Sequence, residues 1–218
     1  MRSKDRHAQI LEGAALFFSE LGLKGNTREL SASLGITQPL LYRYFSSKQV
    51  LLDTIFEELF VKRWNPNWRL LIKDGTRPLS ERIAIFYREF SERMLTRQWV
   101  RLFVYSGLEG YAYNRRVFRK LITDIFRPLG VELRKLHGLP EVASIEITSK
   151  EIEMIWELHG VIFYHRMREE VYGAKPQINM EQVIANLLFY LEGAAPRVLS
   201  TIFPKHTMLT GRLSLTPI

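Results

Sequence analysis

Gln38, Tyr42, Arg43 and Tyr44 stand close together in the segment QPLLYRY. An amide, two phenols and a guanidinium on one short helix supply donors and acceptors for recognition rather than a proton relay. Gln can pair two-pronged with adenine and Arg with guanine in the DNA major groove. Thr37, Gln38 and Arg43 are therefore candidates for reading base edges, and Pro39 and Leu40 for touching a thymine methyl. Tyr42 and Lys48 are candidates for phosphate, and Tyr44 for the duplex backbone. Lys48 adds a separate hint, because a cation beside a helix N-terminus is mildly unfavourable unless an anion is nearby.

Such groups must be held outward by something, and the flanking sequence supplies it. Residues 26–49 read NTRELSASLGITQPLLYRYFSSKQ. Asn26 can cap a first helix, with Glu29 in capping-box register. Gly35 sits where that helix should stop, since glycine tolerates the left-handed backbone that ends one. Thr37 can cap the next helix, and Pro39 falls in its first turn, where a missing N–H costs least. Ser46 and Gln49 form a further S-x-x-Q capping box. Helix, short turn with Gly, helix is the helix-turn-helix pattern. In front of it, Ile10, Ala14, Phe17 and Leu21 mark an amphipathic helix ending at Gly22. Phe17, Phe18, Leu30, Leu34, Leu41 and Phe45 are the candidate core of this head.

The remainder reads as helix almost throughout, so the expected class is all-α. Asn65-Pro66-Asn67 is a breaker, and Lys73–Pro78 is expected to link head and body. Helices are expected over about 79–96, 99–108 and from 114 on, the last punctuated by Pro128. Two long stripes follow, one over 149–171 and one through Val183, Ile184, Leu187, Leu188 and Leu191 that should end at Pro196. Strand-like alternation is weak and confined to 141–148. The expected division is a helix-turn-helix domain over 1–49, a helical ligand-binding and dimerisation domain over 50–198, and an irregular tail over 199–218.

Composition sets bounds. The 218 residues contain no cysteine, which removes disulfides, thiolate zinc sites and cysteine nucleophiles. A net charge of +8 favours acidic partners such as double-stranded DNA. Residues 1–49 hold +3 of it, so the head is only slightly richer in charge than the rest. No signal peptide and no apolar run of membrane-spanning length is visible, and a cytoplasmic protein without a membrane partner is expected.

The stretch from Ile10 to Leu52 resembles the DNA-binding head of the tetracycline-repressor (TetR) family. The residues that carry the likeness are ILEGAALFFSELG, then TREL, then LGITQPLLYRYFSSKQVLL. The resemblance implies a three-helix head whose third helix enters the major groove, and a fourth helix leading to a larger helical body. It further implies that Thr27 and Arg28 meet phosphates. The family's body usually binds a small molecule and dimerises through its last two long helices. That plan implies a homodimer with Ile155, Ile162, Val183, Ile184, Leu187, Leu188 and Leu191 at the interface. The chain departs from the family pattern in a loop shorter by one residue after Gly22, in Ser31 for the usual Ala, and in Tyr44 for the frequent His.

In the body, Trp99, Phe103, Tyr105, Glu109, Trp156, His159 and Phe163 mix apolar walls with a few polar groups, as a pocket for a largely apolar effector needs. His159 and His165 lack the i, i+4 spacing of paired metal ligands, so no metal is expected. No phosphate loop, dinucleotide fingerprint or nucleophile elbow is present, and neither a cofactor nor an enzymatic activity is expected. The leading expectation is a transcription regulator, most simply a repressor released from a near-palindromic operator by its effector. The rival readings are a helical protein-interaction module, a helical enzyme whose head matches by coincidence, and a DNA-binding protein without a ligand.

Overall fold

Every regular element of the described residues is a helix; the computed structural model describes residues 3–204. Helix α1 (Ser3–Leu21) turns Ile10, Ala14, Ala15 and Phe18 into the core. It ends at Gly22, whose φ of 85° a side chain would not tolerate and whose Cβ position would meet the Glu109 carboxylate. Helix α2 (Thr27–Ser33) starts on Asn26, which accepts a bond from the Arg28 N–H at 2.8 Å. Gly35, at φ 62°, makes the turn, and Thr37 caps α3 (Gln38–Tyr44) through the Leu40 N–H. Helix α4 (Lys48–Phe56) is capped by Ser47 rather than Ser46, through the Val50 N–H at 3.1 Å. Two adjacent serines both fit a cap in sequence, and Ser47 is the one that is extended and accepts from the helix. Helix α4 continues into a π-helical stretch, Glu57–Val61.

Two units make up the chain. The first takes Met1–Trp64 together with Arg93–Val117, and so contains α1–α4 and helix α7 (Arg97–Leu108). Leu30, Leu41, Phe45, Leu52 and Ile55 fill the space between α1, α2, α3 and α4, each at most 2% exposed. Each such side chain contributes roughly 1.5–3 kcal/mol. Leu34 and Phe17, also expected in the core, are half-buried. Phe60 stacks on Trp99, and Trp99 on Phe103, with centroids 4.7 and 4.8 Å apart.

The second unit comprises Asn65–Glu92 and the residues from Phe118 on. Lys73–Pro78 is not a linker between units but a corner within this one, between α5 (Trp68–Lys73) and α6 (Leu79–Arg93). The Asp74 carboxylate accepts from the N–H of Thr76 at 3.1 Å, so the breaker residues close a turn on themselves. Helix α8 (Tyr113–Lys120), a π-helical stretch (Leu121–Phe126) and α9 (Arg127–His137) follow without interruption. Pro128 does not split them. The π register lets the Arg127 N–H bond Ile122, and the N–H that Pro128 lacks falls in the first turn after that shift. Residues 141–148 form turns and no strand. A buried Arg134 organises them: it donates to both oxygens of Glu151 at 2.7 Å, and to the carbonyls of Pro140, Ile145 and Glu146.

Helices α10 (Ser149–Glu170) and α11 (Met180–Ile202) both begin with complete capping boxes, Thr148 with Glu151 and Asn179 with Gln182. Pro196 does not end α11. Leu199 and Phe203 extend the buried stripe beyond it, and their burial outweighs one missing hydrogen bond. Leu199–Ile202 of the expected tail are therefore helical, while 205–218 lie outside the described residues. The stripe expected to face a second copy is covered instead by its own chain. Ile155, Ile162, Val183, Ile184, Leu187, Leu188 and Leu191 are each no more than 4% exposed, so they have no surface left for a partner. Periodicity says which face of a helix is apolar, not which chain covers it.

Candidate nucleic-acid interface

The seven residues of α3 divide cleanly. Leu41 is buried, while Pro39, Tyr42 and Arg43 are exposed and Gln38, Leu40 and Tyr44 are half-exposed. The buried residue anchors α3 against the head, and the polar ones are left on the surface. Thr27, at the first position of α2, is buried and joins the two helices. Its hydroxyl accepts from the Gln38 amide at 3.0 Å and lies 3.0 Å from the Tyr42 hydroxyl. Gln38 commits one amide hydrogen to this network and keeps its other hydrogen and its oxygen for a partner, which is the complement of adenine.

The other candidate residues sit as follows. Arg28 is exposed on the first turn of α2. Thr37 is exposed, and its hydroxyl caps α3. Arg43 carries its guanidinium 5.7 Å from the Tyr44 ring centroid, and Tyr44 in turn meets His7 edge-on at 6.4 Å. Lys48 is less free than its place at a helix start suggests. Its ammonium lies 5.6 Å from the Phe18 ring. Partial burial lowers its pKa, and attraction to Glu109 and Tyr42 counters only part of that.

Several positioning residues were not visible in the sequence. Along α7, Arg97, Arg101, Tyr105 and Glu109 recur at i, i+4 and so form one stripe. Arg97 pairs with Glu20 at 3.1 Å. Arg101 donates to the Ser19 carbonyl at 2.6 Å, and Tyr105 to the Glu20 carbonyl at 3.4 Å, which satisfies acceptors that the end of α1 leaves open. Glu109 accepts from the Leu23 N–H at 2.9 Å. Tyr113 donates to Asp53 and accepts from Gln49 at 2.8 Å while stacking on Phe56, and so locks α4. The i, i+4 polar stripe on α7 was the available signal, but solvated helix faces show the same pattern.

Residues 10–55 match the family model of bacterial regulatory proteins, tetR family. The HTH-type transcriptional repressor KstR2 of Mycolicibacterium smegmatis is 22% identical over 152 residues, 69% of this chain and 61% of that protein. The class A tetracycline repressor of Escherichia coli from transposon 1721 is 30% identical over 85 residues, 35% of this chain and 39% of that one. The family likeness is thus shown for residues 10–55, the head of the chain. It spans less than two thirds of the length of these relatives. A TetR-family regulator from Pseudomonas syringae pv. tomato has the same fold at 11% identity, with a TM-score of 0.54 over 88% of this chain and 96% of its own.

The residues expected to line an effector pocket fall in two sets. Trp99, Phe103, Tyr105 and Glu109 belong to the first unit, where the first two stack in its core and the last two hold the end of α1. Trp156, His159 and Phe163 belong to the second. His159 is buried among Tyr87, Phe90, Phe126 and Trp156, with ring centroids 5.4–5.8 Å away. Its Nδ1 has no hydrogen-bond partner, and burial pushes its pKa down to about 3, so the ring is neutral. No cluster of metal-binding side chains occurs among the described residues, and none of their helices is long and apolar enough to cross a membrane.

Proposed function

We propose that this chain is a homodimeric transcription regulator that binds duplex DNA through α3 and represses transcription until a small molecule releases it. The observation that carries the reading is the outward set of Gln38, Tyr42 and Arg43 on a helix tied to α2 by Thr27. The relatives' names, two of them repressors, support it. Thr37, Gln38 and Arg43 would meet base edges, with Pro39 and Leu40 beside thymine methyls. Arg28, Tyr42, Tyr44 and Lys48 would meet the backbone, while Thr27 would act through Gln38 and Tyr42. Two heads would occupy half-sites one helical turn apart, about 34–36 Å.

The surface offered to a second copy is the solvent side of α10 and α11. Val161, Tyr164, Phe189 and Tyr190 are exposed there, and a Cβ placed at Gly160 or Gly193 would meet nothing. Large apolar side chains gathered on one face of a soluble protein mark an interaction surface. The effector would be largely apolar with one hydrogen-bonding group, matched to Trp156, His159 and Phe163. It would shift the heads only as far as its affinities for the two conformations differ.

Anisotropy titration of the chain against the DNA upstream of its own coding sequence tests the reading. Specific binding that weakens steeply with salt is expected. Replacing Gln38 and Arg43 together by Ala should abolish the specific part while helicity and dimerisation persist. Binding that is absent, or insensitive to salt, overturns it.

A further inference from the structure

We propose that the groove between the end of α10 and the start of α11 binds the carboxylate of a small organic acid through His165 and Arg166. The groove holds about 500 Å³, far more than a bare ion needs, and Pro176, Ile178 and Met180 give it an apolar side. His165 lines it, is only 7% exposed, and makes no hydrogen bond among the described residues. Arg166 lines it too. Its Nη1 pairs with Glu169 at 2.9 Å, but its Nε is buried and unbonded. The Arg168 Nε, one turn on from His165, is likewise buried without a partner. Donors left unsatisfied in this way are costly, and two within three residues of one helix, beside the His165 ring, point to an absent acceptor.

The charge balance fits an anion. Burial first, then Arg168 and Arg166, lower the His165 pKa, and the Glu169 carboxylate only partly offsets them. Across the groove Asn179, Met180 and Gln182 are uncharged and belong to the start of α11, whose dipole favours negative charge. Glu181, the nearby acid, is engaged by Arg88 in a two-pronged pair at 2.8 Å. A carboxylate in the groove beside the Arg166 guanidinium would leave the Glu169 pair intact and supply an acceptor for the His165 ring. The apolar side of the groove selects an acid with a short hydrocarbon part over inorganic phosphate.

The experiment follows the ring signals of His165 by NMR in the full-length chain, titrated with butyrate, inorganic phosphate or chloride at matched ionic strength. Butyrate should produce a saturable shift and raise the His165 pKa. Gln177→Glu, which puts a like charge on an exposed rim residue without touching the core, should weaken butyrate at least about tenfold. Arg166→Gln should weaken it similarly at unchanged thermal stability. Shifts no larger with butyrate than with chloride, stronger binding of phosphate, or a response unaltered by Gln177→Glu would overturn the proposal. None of these outcomes bears on DNA binding, which is measured separately.

Discussion

Thr27→Val separates two roles that a single hydroxyl could play. The resemblance to TetR heads places Thr27 on a phosphate, whereas the structure buries it to 8% exposure and bonds it to Gln38 and Tyr42. Valine keeps the shape and removes the oxygen. Gln38 and Tyr42 both reach solvent and can rehydrate, so stability should fall by only about 1 kcal/mol, near the net value of one hydrogen bond. Gln38 is then no longer held before DNA arrives. Immobilising it on binding costs up to about 1.5 kcal/mol, which is about tenfold in affinity. The loss should appear on operator DNA and be nearly absent on non-operator DNA of equal length. A double-mutant cycle sharpens the test, because Thr27→Val should cost little once Gln38 is Ala. Equal losses on both DNAs, or additive losses in the cycle, would refute the positioning role and restore the phosphate contact.

Three further outcomes follow from the second unit. Glu151→Gln leaves the buried Arg134 charge unpaired and should destabilise the fold by about 3–5 kcal/mol in urea titration. Burial raises the Glu151 pKa, but the bonds from Arg134 and Thr148 outweigh it and hold it low. Its contribution is thus full above the ordinary value of 4.5 and lost as pH falls through the folded value, so the variant should show a flatter acid limb. His159 acts in the same direction over a higher pH range. The unfolded ring takes a proton near 6.5 and the folded one only near 3, so stability should fall by up to about 1.4 kcal/mol per pH unit between those values as pH drops. His159→Phe should reduce that slope, which thermal melts at pH 4 and 7 would register. Under the proposed pairing, Phe189→Glu removes one ring from each copy, at roughly 1.5–3 kcal/mol per ring covered. Sedimentation should then show monomer at concentrations where the parent is a dimer, with helicity unchanged.

The helix-turn-helix was legible because its signals are local. Asn26, Gly35, Thr37 and Pro39 each dictate the backbone within a few residues, and the helices fall where those residues put them. The errors arose wherever the deciding contact was distant. Nothing near Arg101 or Glu109 in sequence announces that they bond the end of α1, some eighty residues earlier. In sequence the stripe through Val183 and Leu191 looks like a partner surface, because an intrachain and an interchain contact demand the same spacing. Pro196 looks like a stop because the burial that carries the helix past it is tertiary. Trp99 and Trp156 share a composition but not a unit, and composition cannot say so.

The guanidinium of Arg134 also governs how the chain meets a protease. It holds three carbonyls of the stretch between α9 and α10, which would otherwise be slack. Proteases nick exposed, slack segments, and this stretch, although devoid of helix or strand, is riveted from within. Trypsin should therefore spare Lys150, in the first turn of α10 beside this stretch, in the native chain and attack it promptly once Arg134 has lost its grip.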